Sequence, residues 1–179
     1  GAVGGNDMIQ EARIYSLANV GGQAVLVLEE VNGPRLLPVW IGLYEGGSIG
    51  MALAGQKFPR PLTHDLMLES IKRLGAKLEK IVITGLKDST FYADVYVKRD
   101  AQEIVLDARP SDSIALAVRE NAPIFVDETV FAACPELLKP ITGGEVEDFK
   151  KKLETMTPED FFRDLKNKEG EGGKPEGEK

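Results

Sequence analysis

The chain is poor in the residues that most often do chemistry. Among its 179 residues there is one cysteine, Cys134, one histidine, His64, and one tryptophan, Trp40. A single cysteine excludes an internal disulfide and a cysteine metal cluster, and a single histidine excludes a multi-histidine metal site within one chain. Basic side chains are also in deficit. Lys and Arg number 22 against 29 Asp and Glu, a net charge of −7, which opposes tight nonspecific binding of nucleic acid. No stretch approaches the roughly 18 consecutive apolar residues of a membrane span, and the first residues lack the basic-then-apolar layout of a secretory signal. A cytoplasmic protein with no membrane partner is expected.

What is present is a globular mixture, 42% hydrophobic and 28% charged. Residues 1–7 are expected to be a frayed or added end, with Met8 the natural start. Residues 8–142 form the expected domain, residues 143–168 two amphipathic helices, and residues 169–179 an acidic, glycine-rich tail with no apolar side chain to bury. The only sizeable basic stretch runs from Lys57 to Lys80, with Lys57, Arg60, Lys72, Arg73, Lys77 and Lys80 against Asp65, Glu69 and Glu79.

Strand patterns open the domain. Ala12 to Ala18 and Ala24 to Glu30 flank a Val20-Gly21-Gly22 turn and predict a hairpin. Arg35 to Ile41 is apolar on both faces and is expected to lie mid-sheet. Pro38, which has no ladder donor to offer, speaks against that placement. Leu43 to Ala54 predicts a helix stopped by Gly55. Thr63 is expected to cap a second helix that buries Met67, Ile71 and Leu74 and ends at Gly75. Lys80 to Leu86, Phe91 to Val97 and Glu103 to Ala108 then repeat the strand pattern, Pro110 starts a third helix, and Ile124 to Val126 is a short strand. Ser48-Ile49 and Ala52-Leu53 match Ser113-Ile114 and Ala117-Val118 at a constant offset of 65 residues. The expected fold is therefore α+β: a duplicated β-β-β-α unit forming a mixed sheet or half-barrel with packed helices, plus the C-terminal helices.

Three polar clusters could carry chemistry. In Arg60-Pro61-Leu62-Thr63-His64-Asp65, a histidine and a carboxylate occupy a first helical turn, where the dipole favours anions and a neutral imidazole can accept a proton. In Asp107-Ala108-Arg109-Pro110-Ser111-Asp112, carboxylates and an arginine meet at a strand-to-helix junction that could hold Mg²⁺ or phosphate. Gly42-Leu43-Tyr44-Glu45-Gly46-Gly47-Ser48 is its counterpart in the first repeat. The first also reads as Thr63 and Asp65 merely capping a helix with His64 bonded to a loop, the second as a capped helix start with one internal ion pair, and the third as glycines that let a helix pack close to the sheet.

Leu37-Pro-Val-Trp-Ile-Gly-Leu-Tyr-Glu45, Arg60-Pro-Leu-Thr-His-Asp-Leu66, Phe91-Tyr-Ala93 and Leu106-Asp-Ala-Arg-Pro-Ser-Asp-Ser-Ile-Ala-Leu-Ala117, in that order and spacing, resemble the bifunctional nuclease domain family over about Met8 to Val130. That family is bacterial and plant, and its plant members are credited with cutting both RNA and DNA. The resemblance implies a nuclease, an α+β fold on a duplicated unit, and a homodimer. The two C-terminal helices and acidic tail depart from the added interaction module of the plant relatives.

The motif positions give a site of our own assignment. His64, Asp65 and Glu45 are the candidate proton-transfer residues. Arg60, Thr63, Arg109 and Ser111 are placed on the substrate. Asp107, Asp112 and Glu45 are the candidate ligands for Mg²⁺ or Mn²⁺, because cutting DNA demands an activated water. The expected partner is RNA or DNA, weakly bound. The competing reading is a non-enzymatic module that binds a small anion or a protein at the paired helix starts.

Overall fold

The computed structural model describes residues 8–163. The expected loose ends at 1–7 and 169–179, and the close of the second C-terminal helix, lie outside the described residues. Element order is β1 (Ile9–Val20), β2 (Gln23–Glu30), β3 (Leu36–Ile41), α1 (Leu43–Leu53), α2 (Thr63–Arg73), β4 (Ala76–Lys87), β5 (Thr90–Arg99), β6 (Gln102–Ala108), α3 (Pro110–Glu120), β7 (Ile124–Asp127), α4 (Glu128–Ala133) and α5 (Gly143–Thr155). Residues 158–163 are also helical.

The strands form one mixed, open seven-stranded sheet in the order β3-β2-β1-β7-β4-β5-β6. Each half of the repeat is an antiparallel meander, and β7 joins the two, antiparallel to β1 and parallel to β4. The β1–β2 and β4–β5 hairpins close on two-residue turns with positive φ at both positions, Gly21-Gly22 and Asp88-Ser89, the geometry that matches strand twist.

The two faces of the sheet are covered differently. Leu26, Leu28, Val39, Ile81, Ile83, Ala93 and Val95 point to the face where Ile49 of α1, Leu68 of α2 and Ile114 and Leu116 of α3 complete one core cluster. Val25, Val27 and Leu36 point the other way and are covered by Leu137 with Phe149 and Leu153 of α5. This double cover corrects the expectation for β3. It is an edge strand, apolar on both faces because both are packed, and Pro38 is tolerated because its missing donor falls on an edge.

Helix α2 also differs from expectation. Its buried residues are His64 and Leu68, with Ile71 partly buried behind them, while Met67 and Leu74 are exposed. The i, i+4, i+7 stripe therefore runs 64, 68, 71 and carries the histidine into the fold. Thr63 is the first helical residue and not the cap. The N-cap is Leu62, whose N–H donates to the Asp65 carboxylate at 2.9 Å, so the acid three residues in satisfies the turn.

Candidate functional site

Three helix starts converge on one face of the sheet, and each delivers a sequence-predicted polar side chain. Helix α3 begins at Pro110, whose fixed φ suits the first helical position, and the following turn presents Asp112. Helix α1 begins after Gly42 and presents Glu45. Helix α2 presents His64 and Asp65.

His64 is the centre of the arrangement. It is 9% exposed, with Nε2 at 2.9 Å from Asp112 Oδ1 and Nδ1 at 2.6 Å from Ser48 Oγ. Arg109 donates from Nε to Asp112 Oδ2 at 2.9 Å and from Nη1 to Glu45 Oε1 at 3.0 Å. On the other side Arg119 donates to Ser48 Oγ at 3.0 Å, to the Ala115 carbonyl at 3.0 Å and to Asp65 Oδ1 at 2.8 Å. A continuous chain thus runs Glu45, Arg109, Asp112, His64, Ser48, Arg119, Asp65.

The electrostatics follow from these contacts. Burial pushes the Asp112 carboxyl up, but hydrogen bonds from His64 and Arg109 outweigh it and hold the acid below its ordinary value. The Arg119 hydrogen bond, with help from the Leu62 N–H, does the same for Asp65. An ionised Asp112 accepts only, so Nε2 of His64 carries the proton. Every group in the chain is satisfied when Nδ1 accepts from the Ser48 hydroxyl and Ser48 Oγ accepts from Arg119. That is an oriented, carboxylate-backed imidazole facing a hydroxyl, an arrangement able to move a proton.

The other expected residues are placed differently. Asp107 pairs across the sheet with Asp94. Asp94 alternates with the buried Ala93 and Val95, so both acids lie on the face away from the helices. Asp107 therefore cannot join Asp112 and Glu45. The oxygens of Asp112 are taken by His64 and Arg109, and Glu45 holds Arg109. Among the described residues no group of three or more His, Cys, Asp or Glu side chains is placed to hold a metal ion, so the divalent-cation set expected from the sequence does not fit this geometry. Arg60 and Thr63 are outside the hydrogen-bonded chain, and the Asp65 carboxylate bonds to Arg119 and the Leu62 N–H, not to His64. Ser111 is buried beside the Arg109 end.

Two members of the chain were not anticipated as site residues. Ser48 stood in the sequence as a small-residue match to Ser113. Arg119 lies seven residues after Asp112, on the same helical face, in a stripe otherwise made of Ala115 and Leu116. A lone arginine in such a stripe was the available signal.

The model of the bifunctional nuclease domain matches residues 26–137 of the chain. An uncharacterized protein of Mycobacterium tuberculosis is 42% identical over 148 residues, covering 78% of this chain and 88% of that protein. The chain is also similar to bifunctional nuclease 1 of Oryza sativa subsp. japonica, 27% identical over 122 residues, and to bifunctional nuclease 2 of Arabidopsis thaliana, 24% identical over 135 residues. These matches cover 66% and 73% of this chain but 37% and 40% of the plant proteins. Among the described residues no helix is long and apolar enough to cross a membrane.

Proposed function

The chain belongs to the bifunctional nuclease domain family, and from that membership and the geometry of its helix starts we propose that it cleaves phosphodiester bonds of nucleic acid, with His64 as the proton-transfer residue. The observation that carries this reading is the Asp112–His64–Ser48 alignment beside Arg109. Asp112 orients the ring through Nε2 and stabilises the imidazolium formed when Nδ1 takes a proton. Nδ1 reaches the attacking oxygen when the Ser48 hydroxyl yields its place or passes the proton on, and the imidazolium returns that proton to the leaving oxygen as its P–O bond breaks. Arg109, with a side chain 65% exposed, offers its outer edge to a phosphate oxygen. Arg119, itself held by Asp65, positions Ser48. The acidic balance makes the substrate weakly held.

A second reading rests on the burial of His64 and the occupation of both its ring nitrogens, which also suit a histidine that holds three helices together. In that case the domain binds nucleotides or other small phosphate-bearing ligands without cutting. Labelled RNA and DNA incubated with wild type and His64→Ala, with and without EDTA, decide between them. Cleavage by wild type that the substitution abolishes supports the nuclease. Equal cleavage by both proteins removes His64 from the mechanism, and no cleavage by rigorously purified wild type selects the binding module.

A further inference from the structure

A groove of about 270 Å³ opens beside the Arg109 end of the polar chain, just below the roughly 300–1,000 Å³ typical of small-molecule sites. Its walls are aromatic. Trp40 of β3 and Phe91 of β5 face Phe162, with ring centroids 6.3 Å and 6.0 Å from it and planes inclined at 57° and 52°. Arg109 and the first residues of α3, Pro110 and Ser111, also line it. Phe162 lies beyond residues 26–137, so a segment outside the family match builds one wall.

Ser111 marks the groove as more than a packing defect. The residue is 5% exposed, yet its hydroxyl makes no hydrogen bond among the described residues and it lines the groove. Neighbouring serines are spoken for: Ser113 donates to the Pro110 carbonyl and Ser48 bonds to His64. The hydroxyl is reached from the groove and stands open to a ligand's polar edge. The Ser111 backbone N–H, in the first turn of α3, has no acceptor within the helix and lies beside that hydroxyl. An apolar-walled groove lined also by a hydroxyl, the first-turn N–H beside it and an arginine suits a nucleobase carrying a phosphate.

We infer that this groove is a subsite for one unpaired nucleotide, its base laid against the wall formed by Trp40, Phe91 and Phe162 with the polar edge on the Ser111 hydroxyl, and its phosphate against Arg109. The choice of a nucleotide over another aromatic ligand rests on the nucleic-acid reading above. The shared chemistry is a nucleoside monophosphate, free or within a strand.

Trp40 is the only tryptophan and lines this groove, so indole fluorescence responds to what binds there. Titration with AMP is expected to quench it saturably, and ribose 5-phosphate, which has no base, to bind at least about tenfold more weakly, given the 1–3 kcal/mol typical of base–aromatic stacking. Ser111→Ala removes an atom with no structural partner and is expected to weaken AMP about tenfold, as loss of one hydrogen bond of about 1.4 kcal/mol does. Phe162→Leu is expected to weaken it comparably. If Phe162→Leu does not fold, Ser111→Ala alone decides. Competition by single-stranded hexadeoxyadenylate assigns the subsite to a strand, and its absence assigns it to the free nucleotide. An unsaturable response to AMP, equal affinity for ribose 5-phosphate, or unchanged AMP affinity in folded Ser111→Ala overturns the inference. Binding requires no turnover, so quenching without cleavage sinks only the nuclease reading, and His64-dependent cleavage without quenching sinks only the subsite.

Discussion

Nε2 of His64, on the first turn of α2, lies 2.9 Å from Oδ1 of Asp112, on the first turn of α3. Two helix starts 48 residues apart are thereby tied by one bond, and Ser48 brings α1 to the other side of the same ring at 2.6 Å. The histidine is at once the tie between three helices and the proton-transfer residue of the proposed function.

His64→Ala is therefore expected to have two separable effects. Truncation leaves the Ser48 hydroxyl and the Asp112 carboxylate short of a partner, a cost of about 1–3 kcal/mol. Under the proposed function it also removes general base catalysis, with a loss of about 10²–10⁴-fold in cleavage. Denaturant melts and cleavage assays below the melting transition measure the two independently. A folded variant with wild-type cleavage leaves only the structural role.

The His64–Asp112 bond also gives a pH signature. Asp112 and Asp65 both have carboxyls held below their ordinary value in the fold. For Asp112 the net direction reflects hydrogen bonds from His64 and Arg109 overcoming burial, and for Asp65 it reflects Arg119 first. A depressed acid contributes stability that is present above its unfolded value of about 3.9 and is lost as pH falls through the lower folded value. Asp112→Asn is expected to lower the melting temperature at neutral pH, with the gap to wild type closing as the solution is acidified through that window. A gap independent of pH would mean that the carboxylate's charge contributes nothing to the tie.

The strand-strand-strand-helix unit, its duplication and the helix starts were legible in the sequence because hydrophobic period, turn glycines and Pro110 are local signals. The tertiary relations were not. The stripe on α2 read as 67, 71, 74 because methionine and leucine outrank histidine as apolar residues, whereas the packing selects 64, 68, 71 and sets the polar residue inside. Asp107 and Asp112 are five residues apart and read as one cluster, but a strand alternates faces and the register with Asp94 sends Asp107 to the opposite side. The pairing of Arg119 with Asp65, across 54 residues, has no local trace. Helix α4, only six residues long, is too short to show a period.

Gly46 tests how closely α1 approaches the sheet. A Cβ built there would lie 2.5 Å from the Ala24 Cβ of β2, a distance that neither rigid element can relieve by rotating a side chain. Gly46→Ala gains helix propensity of about 1 kcal/mol but forces α1 off the strand, an overpacking cost of about 1–3 kcal/mol. Net destabilisation is expected, and because α1 carries Ser48 and Glu45 the shift also misplaces the partners of His64 and Arg109. Gly47→Ala, where the added carbon meets nothing within 4 Å, is the control and is expected to be neutral or stabilising in the same thermal melt. Equal melting temperatures for the two variants would contradict the close approach.

Asp107 supplies the sharpest test of which acids belong to the site. It sits directly opposite Asp94 in the β5–β6 ladder, and burial, followed by the Asp107 charge, pushes the Asp94 carboxyl up. Like charges directly opposite in a sheet destabilise, so Asp107→Asn is expected to raise stability at neutral pH by about 0.2–1 kcal/mol. An acid whose folded value is raised costs stability above that value, and the cost lifts as pH falls and the acid becomes neutral. The gain from Asp107→Asn is therefore expected to shrink as pH drops through the elevated Asp94 titration, opposite in sense to the loss on replacing Asp112. Cleavage, if it runs on the helix-side cluster, is expected to stay within about twofold of wild type, since the carboxylate faces away from His64. A tenfold fall in a variant that folds and melts as described would return Asp107 to the reacting groups, and with it the divalent cation that the present arrangement of donors does not accommodate.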